Sequence, residues 1–343
     1  VGAPPSGGTF SVLSYNIAGL PEGLSSGDPR VNTPIIGQRI RPYDIVHVQE
    51  DFNYHASFYA NNTHPFRTPT SGGVPFGDGL NTVSDHPYSD LTRDKWDRCN
   101  GTDCLTPKGF SWSRIRVAEG VLIDFYNVHS NAGSAEPDLA ARRANISELS
   151  RFITANSAGN AVVVAGDTNT RYTRTGDNIR ELLTTNGLTD AWIQEELGGV
   201  PPAAGSPAAV CDDQNVTDAC EVVDKILYRG NRYITLDLNR YGNENAAFRT
   251  ADNKMLSDHY PIAADSGGRS TPRCRSATSS AGHMAHRSPM SPLCRCHSGS
   301  QEWASVRDRV STRSRSCSPT EPLMSTVATG APRTGWLCRR GSI

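Results

Sequence analysis

No stretch of this 343-residue sequence approaches the roughly 20 consecutive apolar residues that a membrane-spanning helix requires, so it is not organised around helical spans. No segment repeats at a solenoid or propeller period, which excludes an array of small units. Cysteine is scarce over residues 1–268, where only Cys99, Cys104, Cys211 and Cys220 occur. No histidine stands at ligand spacing beside either pair, which argues against a zinc module. Lysine is missing altogether from residues 269–343, which hold 12 arginines. The opening VGAPPSGG has neither a methionine nor a charged and then apolar leader, and it matches the mature terminus left after a signal peptide is removed.

What is present divides the chain in two. The net charge of −1 hides a body of −10 over residues 1–268 and a tail of +9. An acidic body disfavours a protein that clamps long nucleic acid. The tail is rich in Arg, Ser, Pro and Cys, shows neither strand nor helix period, and has too few branched apolar residues to offset its ordering entropy. We expect residues 1–268 to be one domain. Residues 269–343 read as a translated artefact, from a wrong frame or an unspliced intron, with a disordered basic appendage as the alternative. The body's cysteines fall in close pairs within polar segments, Cys99 with Cys104 and Cys211 with Cys220, which suits two local disulfides. Sequons at Asn61, Asn100, Asn145 and Asn215 agree with a secreted glycoprotein.

The body alternates strand and helix patterns. VVVAGDTNTRYT, residues 162–173, is a buried apolar strand that stops abruptly in Asp167, Thr168 and Asn169. Strand ends of layered α/β folds are rigid places from which loops vary, and catalytic groups gather there. Asp167 and Asn169 offer hard oxygen to a metal or a phosphate-bearing substrate. NTPIIGQRIR predicts a helix with Thr33 as N-cap and Pro34 at its first position. DNIRELLTTNGL predicts one capped by Asp177 and stopped near Gly187. LSDHYPIAAD reads as a strand. The same polar ending recurs at Asn16, Glu50, His129, Asp224 and the pair Asp258–His259. One polar strand end is punctuation; six, with carboxylates, amides and two histidines but no lone Lys or Cys nucleophile, point to one site built from many strands.

SYNIAG, DIVHVQE, NVHSN, AGDTN, VDKILYR and SDHYPI, in that order, resemble the signature of the endonuclease/exonuclease/phosphatase superfamily, also called DNase I-like. The resemblance covers nearly all of residues 9–264. It implies an α/β fold, a four-layer α/β/β/α sandwich of two packed mixed sheets flanked by helices. It also implies that Glu50 is the principal metal ligand with Asn16 beside it, and that Asp258 lies at the metal. Asp167 and Asn169 match its Asp-x-Asn pair, His129 its first histidine and His259 its last, with Asp224 orienting His259. The chemistry implied is in-line attack of a His259-activated water on a phosphodiester, with Mg²⁺ (or Mn²⁺) neutralising charge. His129 and Asn169 would donate to the phosphoryl oxygens.

Two branches compete for the substrate. The ends of the body are similar to secreted DNase I-type nucleases. The middle, GDGLNTVSDHP, RDKWDRCNGTDC and KGFSWSRI, is similar to the sphingomyelinase branch, where Lys108 and Asn131 are the expected substrate contacts. No Glu occurs between Glu50 and Glu119, whereas the nuclease branch pairs one with its first histidine. We therefore expect a phospholipid head-group phosphodiesterase, monomeric, with at most peripheral membrane contact, to which Trp96 and Trp112 contribute. A DNase I-like endonuclease is the alternative, followed by an inositol-phosphate phosphatase or a binding module without turnover.

Overall fold

The computed structural model describes residues 7–72 and 76–270. Beyond Ser270 the expected tail lies outside the described residues. Two six-stranded sheets form the body. The first is ordered β11 (Ile234–Asn243), β12 (Ile262–Ser270), β1 (Gly7–Asn16), β2 (Ile45–Gln49), β4 (Asn81–Ser84), β3 (Phe66–Arg67). The second is ordered β5 (Tyr88–Lys95), β6 (Gly109–Ala118), β7 (Val121–His129), β8 (Val162–Asp167), β10 (Asp224–Arg229), β9 (Thr189–Asp190). Each sheet contains one parallel pair, β1 with β2 and β7 with β8, in an otherwise antiparallel ladder. A helix lies in each crossover, as a parallel pair requires: α1 (Pro29–Arg39) between β1 and β2, α3 (Glu136–Asn156) between β7 and β8.

Period-2 alternation builds the layers. Val12 packs into the large cluster with Ile45, Phe125 and Val163, while its neighbour Leu13 joins Ile36, Ile40 and Phe58 on the other face of the sheet. Phe10 meets Phe125 edge-on, ring centroids 6.1 Å apart. A polar seam also crosses between the sheets. Gln49 Nε2 donates to Asn127 Oδ1 at 2.8 Å, and Asn127 Nδ2 donates to the carbonyls of Val48 and Asn81. These buried bonds fix one sheet's position on the other. They lie one residue before Glu50 and two before His129.

Several expectations need correction. Helix α1 starts at Pro29 after Asp28, so Thr33 is a buried interior residue and Pro34 lies inside the helix. Proline pre-sets φ at a first helical position, and the earlier of the two prolines takes it. Helix α4 (Ile179–Asn186) follows Asn178; Asp177 is instead drawn into bonds with Arg142, Arg171 and Arg174. Gly187 does stop α4, at φ 63°. Leu256–Tyr260 is a loop, with β12 beginning at Ile262. Strand β5, YSDLTRDK, carries no apolar alternation because it is an exposed sheet edge. Pairing of β12 continues to Ser270, two residues past the expected end of the domain. Asn145 is not a glycan acceptor in this fold: its side chain is fully buried, accepting from Asn131 N and donating to Arg98 O. Asn215 is exposed, and Asn61 and Asn100 are half-buried.

Candidate active site

The two parallel pairs end on the same side of the sandwich. Asn16 closes β1, Glu50 follows β2, His129 closes β7 and Asp167 closes β8. Asp224 opens β10, opposite Asp167 in register, and Asp258–His259 precede β12. Close backbone approach at this end is sequence-encoded. A Cβ on Gly166 would lie 2.2 Å from Val128 O, and one on Gly19 would lie 2.4 Å from Glu50 O. Ala18, Glu50 and Asn169, none of them glycine, sit at φ 47°, 58° and 53°. Left-handed backbone at such residues costs energy and clusters where a constellation is over-determined by its surroundings.

Asn16 Nδ2 donates to both Glu50 Oε1 and Asp167 Oδ2, each at 3.2 Å, while its Oδ1 accepts from Ala18 N at 3.0 Å. The same two carboxylates face His129 Nε2, at 3.6 and 3.4 Å. Both ring nitrogens of the buried His129 lack a hydrogen-bond partner. Asp167 also accepts from Asn169 N at 2.9 Å and Asn169 Nδ2 at 3.0 Å. His259 Nδ1 stands 3.0 Å from Asp224 Oδ2, and its Nε2 stands 3.7 Å from Asp167 Oδ2.

Proton affinities follow from these positions. Burial, then the charges of Lys108 and His259, holds the His129 ring well below its usual range and hence neutral. Burial pushes Asp167 up to about 6, with Asp224 adding to the shift against the opposing charges of His259 and Lys108. Burial works against protonation of His259, but the carboxylates of Asp224 and Asp167 outweigh it and hold the ring well above its usual value.

Some expected residues sit elsewhere. Asn16 presents its amide nitrogen to the carboxylates, and its oxygen accepts from Ala18 N–H. Asp258 is exposed, 3.4 Å from Ser257 Oγ. Lys108 is buried against Asp103, Nζ to Oδ1 2.9 Å, and lines a cavity with Trp96, Cys99 and Asn131. Asn131 Oδ1 accepts from Asn100 N at 2.7 Å. Trp96 is buried, its Nε1 donating to His129 O at 2.7 Å. Trp112 Nε1 is likewise buried, without a hydrogen-bond partner. Trp96 is thus withdrawn from the surface, whereas Trp112 as a whole is half-buried. Both disulfides are present, Cys99–Cys104 and Cys211–Cys220.

Two supporting residues escaped the sequence reading. Ser257 Oγ donates to Asn16 O at 2.6 Å and caps His259 N at 3.3 Å, tying the last loop to β1. Thr168 Oγ1 donates to Val223 O at 2.7 Å, tying the Asp167 turn to the start of β10. A serine two residues before a histidine is a hydroxyl-turn signal, but a common one.

Residues 31–199 match the model of Endonuclease/Exonuclease/phosphatase family 2. A sphingomyelinase of Mycobacterium tuberculosis is 40% identical over 263 residues, covering 74% of this chain and 52% of that protein. The chain thus spans about half the length of the curated relatives it matches. Among solved structures, sphingomyelinase C from Streptomyces griseocarneus is similar at a TM-score of 0.54 and 18% identity, covering 75% of this chain and 99% of that one. A variant of Staphylococcus aureus beta toxin with bound magnesium ions is similar at a TM-score of 0.55 and 18% identity, covering 77% of this chain and 100% of that one. These two likenesses establish the fold, a sandwich of two mixed sheets between helices.

Proposed function

The chain belongs to the endonuclease/exonuclease/phosphatase superfamily, and on that premise we propose that it is a divalent-metal-dependent phosphodiesterase cleaving a phospholipid head group, of the sphingomyelinase type. The observation that carries the reading is the His259–Asp224 pair set beside Asp167 and Glu50 at one end of the sandwich. Preference for lipid over nucleic acid rests on the 40% identity to a sphingomyelinase and on the acidic body.

The donor set fits a hard cation. Glu50 and Asp167 converge on a single amide nitrogen, and two carboxylates held that close favour a positive charge between them. Glu50, partly exposed, would hold Mg²⁺ or Mn²⁺ as principal ligand, with Asn16 orienting it and exposed Asp258 at the rim. When bound, the ion would neutralise charge on the phosphodiester. Asp167, Asp224 and His259 also bring ligand atoms within 4.8 Å of one another. We assign that trio to proton transfer, because His259 Nδ1 is already engaged by Asp224.

In the proposed reaction His259, when neutral, removes a proton from the attacking water through Nε2, and Asp224 stabilises the imidazolium that forms. Asp167 and Ser130 O take both N–H bonds of the Asn169 amide, so its donation to a phosphoryl oxygen requires the substrate to displace one of them. His129, kept neutral, donates one ring N–H as negative charge builds. Lys108 and Asn131 line the neighbouring cavity, and we assign them to substrate contact. The two disulfides support a secreted protein.

The test is to assay the full chain with Mg²⁺ against sphingomyelin, phosphatidylcholine and supercoiled plasmid in parallel. Release of a phosphorylated head group from sphingomyelin is expected. Plasmid cleavage without lipid hydrolysis would move the assignment to the nuclease branch.

A further inference from the structure

We propose that the buried ion pair Arg142–Asp177 is a positioning device that locks the His129 loop to the Asp167–Asn169 loop; the inference rests on the reading above for its effect on turnover. Arg142, on α3, is fully buried. Its Nε donates to Asp177 Oδ1 at 2.9 Å, and its Nη1 donates to the carbonyls of Asn131 and Gly133, each at 2.9 Å. Those carbonyls belong to the segment that leaves β7 directly after His129. Asp177 uses its other oxygen on the opposite loop. Oδ2 accepts from Arg171 N at 2.8 Å and from Arg174 Nη1 at 2.9 Å, and the same Arg174 nitrogen donates to Asn169 O at 2.9 Å. One guanidinium and one carboxylate therefore gather backbone groups from both loops that carry the site.

The two loops also touch at the strand ends. Ser130 N donates to Asp167 O at 2.9 Å, and Asn169 Nδ2 donates to Ser130 O at 3.1 Å. These bonds align the chains where they leave the sheet. The ion pair holds them further out, where no strand ladder constrains them, and so sets the direction in which the Asn169 amide and the His129 ring face the substrate.

A packing role alone is poorly served by this pair. Both charges leave water, and such pairs often contribute less to stability than apolar residues of the same volume. Arg142 Nη2 is also buried without a hydrogen-bond partner, a further loss of stability. Nε and Nη1 are nevertheless both engaged, on the Asp177 carboxylate and on two loop carbonyls, a spread that a lysine point charge cannot reproduce.

The test compares Arg142→Lys and Asp177→Asn with the unmutated chain. Hydrogen exchange is followed by mass spectrometry, and kcat and KM are measured on sphingomyelin in Mg²⁺ below the melting temperature. We expect faster exchange confined to residues 130–133 and 168–177, and kcat per folded molecule lower by about 10- to 100-fold with KM changed less than threefold. Exchange that rises across α3 and the sheets, with kcat per folded molecule preserved, would make the pair a packing element and overturn the proposal. Failure of both variants to fold would do the same. If the unmutated chain turns over no lipid, the assigned reaction fails, while the exchange pattern still judges the locking of the loops.

Discussion

Strand β7 carries a buried acid near its start and a buried histidine at its end, and the two are treated in opposite ways. Asp124 is satisfied three times over, accepting from Arg114 Nε at 2.7 Å, Ser157 Oγ at 2.7 Å and Asn160 Nδ2 at 2.8 Å. His129, five residues on and roughly 16 Å away along the strand, keeps both ring nitrogens without a hydrogen-bond partner, facing two carboxylates. Fully paired charge at one end supports the fold. Groups left short of partners at the other end are available to a ligand, and the strained backbone of Glu50 and Asn169 lies there too.

The sharpest way to break the comparison is to remove one group from each end. His259→Ala should lower turnover on sphingomyelin, per folded molecule, by about 10³-fold or more while Mg²⁺ binding stays close to the unmutated value. Asp124→Asn should do the reverse, costing roughly 2–3 kcal/mol in a denaturant titration while turnover per folded molecule is kept. Equal losses of turnover per folded molecule from both would erase the distinction.

Asp167→Asn probes the same contrast within the site. Its carboxyl is pushed up to about 6 against an unfolded value near 3.9, so the unfolded chain binds fewer protons between those pH values. In the metal-free protein this charge therefore lowers stability as pH rises from about 4 to 6. At pH 7 and without metal, the variant should melt no lower than the unmutated chain, yet lose about 10²-fold in turnover. A marked drop in melting temperature would show Asp167 to be structural.

A smaller effect concerns pH. His259 acts as base when neutral, and its affinity for a proton is raised, so the rate should climb with pH through a value above 6.5. Asp224→Asn should shift that limb to lower pH and reduce the plateau. An unshifted limb would assign it to another group. Smallest of all, truncation after Ser270 should leave melting temperature and turnover nearly unchanged, since no strand pairing or site residue of the described chain lies beyond it.

Much of this site was legible before any coordinates, for a physical reason. Polar residues at the ends of buried strands are costly unless used, so Glu50, His129, Asp167 and Asp224 stood out against their apolar surroundings. What stayed hidden depends on partners distant in sequence. Asp177 looked like a helix cap because nothing local reveals that Arg142 lies 35 residues away. Asn145 looked like a glycan acceptor because a sequon carries no information about burial. The polarity of β5 concealed a strand, since an edge needs no apolar face. The orientation of the Asn16 amide is set by Ala18 N–H, a bond that residue identities alone do not indicate.

The central claim is that the unsatisfied end of the sandwich is a metal-dependent site for lipid phosphodiester cleavage. The most direct measurement is head-group release from sphingomyelin by the purified full chain, taken after exhaustive chelation and again after Mg²⁺ is restored, with Glu50→Gln in parallel. The account predicts no release when chelated, recovery with Mg²⁺, and recovery in Glu50→Gln only at a much higher metal concentration. Full release after chelation, or a Glu50→Gln protein with unchanged Mg²⁺ dependence, would contradict it.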